Sequence, residues 1–260
     1  MNIVVCIKQV PDVDDIKWTK ENNLDRSLML SKINLYDEYA LNYAIKIKKQ
    51  FQNANIIALS MGPNQASEVL EYALAKGANR AILLSDKAFG GSDTLITAKI
   101  LARAIEKYVP DFDIILMGQQ AQDGDTAQVP VGLAQELNII DIENVVRINN
   151  ADKKMASVVQ KLENKTNIIE ILTPCIIALK EDCDENYTPK INDYIRAQNI
   201  KIETYNAGNL GFSKNETGII GSPTYVYRAY RPEKQKNAIE INEDIVENLD
   251  ELISTIKNEE

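Results

Sequence analysis

The feature that most constrains this chain is a repeated unit. A short apolar run, a polar loop and a helical periodicity recur four times before about residue 140. Residues 2–7 (Asn-Ile-Val-Val-Cys-Ile) are rich in β-branched side chains and bounded by polar sequence, the pattern of a buried strand. Ile56-Ile57-Ala58-Leu59, Ala81-Ile82-Leu83-Leu84 and Ile114-Ile115-Leu116-Met117 repeat it. Tyr36, Tyr39, Ala40, Tyr43, Ala44 and Ile47 share one helical face, with Asn34 as N-cap and Asp37 and Glu38 in the first turn. A second helix carries Ala66, Val69, Leu70, Ala73 and Leu74 and closes at Gly77; a third carries Ala98, Leu101, Ala102 and Ile105. A fourth is expected from about Thr126 to Leu137. Such βα repeats give an α/β fold, a parallel sheet covered on both faces with right-handed crossovers.

Beyond residue 140 the character changes. Val145–Ile148, Ala156–Gln160, Ile168–Ile171 and Ile176–Leu179 read as strands without helices between them, expected to add antiparallel strands at a sheet edge. Residues 8–32 read as a long surface loop. From about Asp184 apolar periodicity is lost until Ile245, Leu249, Leu252, Ile253 and Ile256, which suit a last amphipathic helix. We therefore divide the chain into an α/β domain, 1–188, and an extended arm, 189–260, which lies on its own domain or wraps a partner.

Composition removes several chemistries. There is no histidine, so no Ser-His-Asp triad, Cys-His pair or His-ligated zinc. A net charge of -9 argues against a nucleic-acid backbone as partner. The spacing of Cys6, Cys175 and Cys183 forms neither a disulfide framework nor a CxxC motif, which suits a reducing cytoplasm. No stretch approaches the roughly 20 apolar residues of a membrane span.

Ligands of open parallel sheets bind at the loops after the strands. Here these are Lys8 onward, Ser60-Met61-Gly62-Pro63, Phe89 to Thr94, and Gly118 to Thr126. The last two are Gly-rich and open helices, where backbone N–H groups and the helix dipole cradle phosphates; the same residues also serve as plain tight turns. Neither G-x-G-x-x-G nor G-x-x-x-x-G-K-[ST] is present, which argues against an ordinary NAD dehydrogenase or P-loop NTPase. Asp123 and Asp125 suit turn or capping roles better than a paired-carboxylate or magnesium site.

Taken together the loops resemble the β subunit of electron-transfer flavoprotein over nearly the whole chain. The resemblance rests on Val4 to Asp12 (VVCIKQVPD), Asn34 to Leu41 (NLYDEYAL), Ser60 to Ala66 (SMGPNQA), Ala73 to Ala78, Phe89 to Thr94 (FGGSDT), Asp123 to Val129 (DGDTAQV) and Gly221 to Thr224 (GSPT). It implies a Rossmann-like, adenine-nucleotide-hydrolase-like domain whose C-terminal arm embraces an α subunit that carries the electron-transferring FAD. Members bind AMP in the β subunit, or a second FAD where they bifurcate electrons from NADH. The resemblance assigns the nucleotide to Cys6, Asn34, Leu35, Tyr36, Asp37, Met61, Gly118, Gln120, Asp123, Gly124, Asp125, Thr126, Ala127, Gln128 and Val129. The N–H groups of Asp125 to Val129 would hold phosphates, Cys6 and Met61 would flank adenine, and Asp37 and the Asn34 backbone would take polar edges. The GGSDT, DGDTAQ and GSPT motifs look like the NADH-using type. FAD is thus favoured over AMP, with Ser92, Asp93, Thr94, Ser222 and Thr224 against its pyrophosphate or ring.

The chain departs from the pattern at Leu35, where the family usually has Pro, and at Val129-Pro130-Val131-Gly132, in place of Val-Gly-Pro. The stretch Glu181–Ile195, which resembles the loop that docks acyl-CoA dehydrogenases, has Asn186-Tyr187 where Arg-Tyr is usual; Ile191 would be its apolar anchor. The implied role is an electron carrier working with an α subunit and a dehydrogenase. The rival readings are a standalone adenine-nucleotide module, and an ATP-hydrolysing enzyme, which the glycine-free Lys8-Gln9-Val10-Pro11-Asp12 disfavours.

Overall fold

The computed structural model describes residues 1–12, 31–51, 53–182, 187–213 and 215–227, with Leu249 and Ile253. The chain falls into two compact units, Met1–Tyr227 and Arg228–Glu260. In the second, Leu249 and Ile253 are helical and exposed; the rest of the helix expected over 245–256 lies outside the described residues.

The expected βα units are all present. Strand β1 (Asn2–Cys6) leads through a short antiparallel pair, β2 (Gln9–Pro11) and β3 (Ser31–Ile33), into helix α1 (Leu35–Gln50). That pair lies within a segment expected to be loop. Then follow β4 (Asn55–Met61), α2 (Ser67–Lys76), β5 (Arg80–Leu84), α3 (Thr94–Tyr108), β6 (Ile114–Gly118) and α4 (Val129–Leu137). Alternate residues of each strand enter opposite cores, as the two-residue period of a strand requires. Ile3, Val5, Ile56, Ala58, Ile114 and Leu116 pack with α1 and α2. Val4, Cys6, Ile57, Leu59, Ile115 and Met117 pack with α3 and α4. Each fully buried Ile or Leu here contributes about 1.5–3 kcal/mol, so a single truncation to Ala costs about 2–5 kcal/mol.

The second half is β7 (Ile140–Ala151), β8 (Met155–Leu162), β9 (Lys165–Leu172), β10 (Cys175–Leu179), α5 (Ile191–Gln198), β11 (Glu203–Tyr205), α6 (Ala207–Leu210) and α7 (Gly218–Gly221). The large sheet runs β11-β5-β4-β1-β6-β10-β7-β8-β9. The β7–β8–β9 meander is antiparallel and forms one edge, as expected. β10 differs from the expectation: it inserts between β6 and β7, parallel to both. Its five residues are all buried, whereas β9 has exposed residues alternating with half-buried ones and the buried Ile171. A continuous apolar run is the mark of a strand covered on both faces.

At the other edge, β11 pairs parallel with β5. Glu-Thr-Tyr has no apolar run to announce it. Its seat is made by tertiary contacts: Arg80 forks onto Glu203 at 2.5 and 2.8 Å, and the Tyr108 and Tyr205 rings stack 3.7 Å apart. Arg196 of α5 donates to the α2 carbonyls of Leu74 and Ala75, and Ala197 is buried. Residues 191–213 and 215–227 thus belong to the same compact unit as the α/β core.

Candidate functional site

The carboxyl ends of β1 and β6 meet the start of α1. Here Asp37 is 7% exposed, and both its oxygens accept backbone N–H groups: Lys8 at 2.7 Å and Gly118 at 3.0 Å. It therefore ties the ends of two neighbouring strands to the first turn of α1. Burial pushes its pKa up to about 7, against the opposing pull of the Lys8, Asn34 and Gly118 donors and the Lys8 charge. A Cβ on Gly118 would lie 2.5 Å from Asp37 Oδ1 and 2.6 Å from Tyr36 Cβ, so only glycine fits.

Asn34 stands at the N-cap position of α1, yet its side chain makes no capping bond. It reaches the loop after β6 instead. Nδ2 donates to Gln120 O at 2.9 Å and Oδ1 accepts Gln122 N–H at 3.0 Å. A side-chain amide presents an N–H donor and a carbonyl acceptor side by side in one plane, so it pairs with a backbone segment as another strand would. The Leu35 N–H donates to Gln122 Oε1, and Lys8 Nζ lies 2.6 Å from Asp123 Oδ1. Gln120 bonds Asp125 across the same loop.

The loop then takes two left-handed turns at non-glycine residues, Asp125 (φ 50°) and Ala127 (φ 52°). Such a conformation is costly for residues with a side chain and often marks a functional segment. These turns delay α4 to Val129, rather than the expected Thr126. They also leave the N–H groups of Thr126 to Val129 with no acceptor among the described residues. No side chain caps α4. Its positive end is open to an anion.

The start of α3 is different. Asp93 caps it, accepting the Ile96 N–H at 3.1 Å. Its other oxygen takes the Thr224 N–H at 3.1 Å and the Thr224 hydroxyl at 2.8 Å. Burial raises its pKa, but the Ile96, Thr224 and Leu95 donors outweigh that and hold it below the usual range. The Ser222 hydroxyl accepts the Asp93 N–H at 2.9 Å and donates to Gly218 O at 2.6 Å; the Ser92 hydroxyl accepts the Gly218 N–H at 3.1 Å. The SDT and SPT motifs are thus brought together, with Asp93 engaged by Ser222 and Thr224 and Ser92 engaged by Gly218. Of the two Gly-rich loops, the one before α3 is closed by its own carboxylate and the one before α4 is open.

The remaining residues line the same edge. Cys6 and Met61 end adjacent strands on the α3/α4 side. Cys6 is 6% exposed; burial and then the Asp37 charge push its thiol far up, so it is an apolar wall and not a nucleophile. Asp123, Gly124, Thr126 and Gln128 are exposed, and Tyr36, Ala127 and Val129 half-buried. Thr94 opens α3. Ile191 stands apart on α5, 80% exposed beside Tyr194 and Ile195. Lys8, Gln119 and Gln122 lie in the loops read from sequence as ligand-binding, where no individual role marked them. Lys8 directly follows the first strand, which is the signal that marks it. Gln119 accepts the Asn144 N–H at 2.7 Å, a partner sequence spacing does not reveal. No group of three or more Cys, Asp or Glu placed to hold a metal occurs among the described residues. A cavity of about 510 Å³ beside Lys48, Gly77, Asn79 and Arg196 lies at the C-terminal end of α2, where the two cations cap carbonyls.

This is a doubly covered, mostly parallel α/β protein with a site at the carboxyl edge, built from loops and an open helix start. The chain belongs to the electron transfer flavoprotein family: residues 26–206 match the electron transfer flavoprotein domain. It is 39% identical over 238 residues to the electron transfer flavoprotein subunit beta of Thermoanaerobacterium thermosaccharolyticum, covering 91% of this chain and 90% of that one. It is 38% identical over 233 residues to the caffeyl-CoA reductase-Etf complex subunit CarD of Acetobacterium woodii, covering 89% and 88%. It is 36% identical over 250 residues to protein FixA of Sinorhizobium fredii, covering 93% and 87%. No helix among the described residues is long and apolar enough to cross a membrane.

Proposed function

We propose that this chain is the β subunit of a heterodimeric electron-transfer flavoprotein that moves electrons between NADH or an acyl-CoA-type dehydrogenase and an acceptor. The α subunit binds against the C-terminal arm. The β site holds a second FAD and the complex bifurcates electrons from NADH. It works in the cytoplasm, where the buried thiols of Cys6 and Cys175 stay reduced. The likeness to a subunit of a caffeyl-CoA reductase complex supports a partner acting on an acyl-CoA-type substrate.

The observation that carries the nucleotide reading is the uncapped start of α4, where the N–H groups of Thr126 to Val129 meet no acceptor among the described residues. These residues fit a diphosphate: backbone donors and a helix dipole neutralise it without a basic patch, in a chain of net charge -9. Asn34 and Lys8 hold the loop in place, while Cys6 and Met61 supply apolar walls. When bound, flavin supplies the redox chemistry; the protein binds and orients it and sets its electrostatic surroundings.

AMP is the second reading. It is favoured by the clasp between Ser92, Asp93, Ser222 and Thr224, whose engaged side chains offer fewer contacts to the far half of a dinucleotide. Purification of the heterodimer decides between them. Two FAD per heterodimer, bleached by NADH, is the expected result. One FAD with co-purifying AMP would establish the AMP form.

A further inference from the structure

The clasp joins two parts of the chain some 130 residues apart. Helices α3 and α4 also pack against each other near their starts: a Cβ on Gly132, the fourth residue of α4, would lie 3.2 Å from the Cβ of Ala98, the fifth residue of α3. The start of α3, gripped by the clasp, therefore stands directly beside the open start of α4. Close backbone approach is built into the arrangement. A Cβ on Gly218 would lie 2.4 Å from Ala88 O, and one on Gly91 2.3 Å from the Ile219 side chain. Both glycines have positive φ, 64° and 74°. Beyond the clasp, Tyr225, Val226 and Tyr227 leave the surface 72, 85 and 88% exposed, at the end of the first compact unit.

We propose that Asp93 is a positioning residue: by holding Thr224 with one oxygen and capping α3 with the other, it couples the seating of segment 217–227 to nucleotide binding at the start of α4. The inference rests on the nucleotide reading of that site. Physically, the α3 start has one arrangement when the carboxylate is shared between Ile96 and Thr224, and that arrangement sets the neighbour against which α4 packs. A nucleotide that requires this α4 position stabilises the seated segment, and by linkage the seated segment tightens the nucleotide by the same factor.

The test uses the full-length chain, AMP and FAD as probes, and three variants. Asp93→Ser keeps an N-cap oxygen but cannot also reach Thr224. Thr224→Val removes one surface hydroxyl, and Thr224→Ser restores it. In the wild type, nucleotide is expected to slow amide exchange at Gly218 and Thr224. In Asp93→Ser and Thr224→Val, affinity should fall about five- to twentyfold and the nucleotide-dependent protection should vanish, with Thr224→Ser close to wild type. Wild-type protection with undiminished binding in Asp93→Ser and Thr224→Val overturns the coupling alone. A wild type that binds neither AMP nor FAD overturns the nucleotide reading and the coupling with it.

Discussion

Asp37 and Gly118 meet with no room for a side chain: the carboxylate accepts the Gly118 N–H at 3.0 Å, and a Cβ there would sit 2.5 Å from the same oxygen. Gly118→Ala should therefore cost about 1–3 kcal/mol through overpacking. Gly124, six residues on, meets nothing within 4 Å, so Gly124→Ala should stay within about 0.5 kcal/mol of wild type. Urea denaturation of the two variants reads the difference.

Asp37 also gives the fold a pH dependence with a definite sign. Its folded pKa of about 7 lies above the ordinary value of 3.8, so the folded state binds the extra proton. The contribution is fully present below about pH 4 and is lost as pH rises through 7. Asp37→Asn should flatten this part of the Tm-against-pH curve between pH 4 and 7. It should also lower stability by about 1–3 kcal/mol, because the amide can accept only one of the two backbone N–H groups. An unchanged slope in the variant would show that Asp37 does not titrate in this window.

Asn34 is 1% exposed and gives both its polar atoms to the loop before α4. Asn34→Ala should lower AMP or FAD affinity about tenfold while leaving the secondary structure intact, since two hydrogen bonds of about 1 kcal/mol each are lost. Calorimetric titration and circular dichroism together separate loop loosening from unfolding.

Gln128→Glu places a carboxylate, without a change of shape, at the positive end of α4. Stability should rise by about 0.3–1 kcal/mol through the helix dipole. Nucleotide affinity should fall, because the new charge repels the phosphates. Opposite signs in denaturation and binding are the signature of an anion site; a parallel change in both would argue against one.

Ile191 is 80% exposed and Tyr194 and Ile195 are its neighbours one helical turn on. Ile191→Ser should change stability by less than about 0.5 kcal/mol. Electron transfer with the dehydrogenase should slow severalfold while NADH reduction of the heterodimer is unaffected. Equal rates with wild type would remove Ile191 from the docking surface.

Much of the scaffold was legible because its signals are local. The apolar runs of β1, β4, β5 and β6 and the helical faces of α1 to α3 follow from periodicity, and Gly77 closes α2 as expected, at φ 131°. The motifs that group the site are likewise contiguous. What periodicity cannot reveal is pairing. Cys175–Leu179 announces a buried strand, but only its neighbours β6 and β7 decide that it runs parallel inside the sheet. β11 exists because Arg80 and Tyr108 receive Glu203 and Tyr205. Asn34 looked like a cap from its position, but the nearby loop competed for its side chain and won.

The sequence by itself determined the α/β class, the family, and which loops converge on the carboxyl edge. These depend on residue type at fixed spacing, and a repeating period survives whatever the rest of the chain does. Tertiary structure decided which of two similar Gly-rich loops is open. Both precede helices, but Asp93 closes one through Ile96 and Thr224, whereas the left-handed turns at Asp125 and Ala127 leave the other's N–H groups unmet among the described residues. Hydrogen-bond partners far apart in sequence make that distinction, and only folding brings them within 3 Å or so of one another.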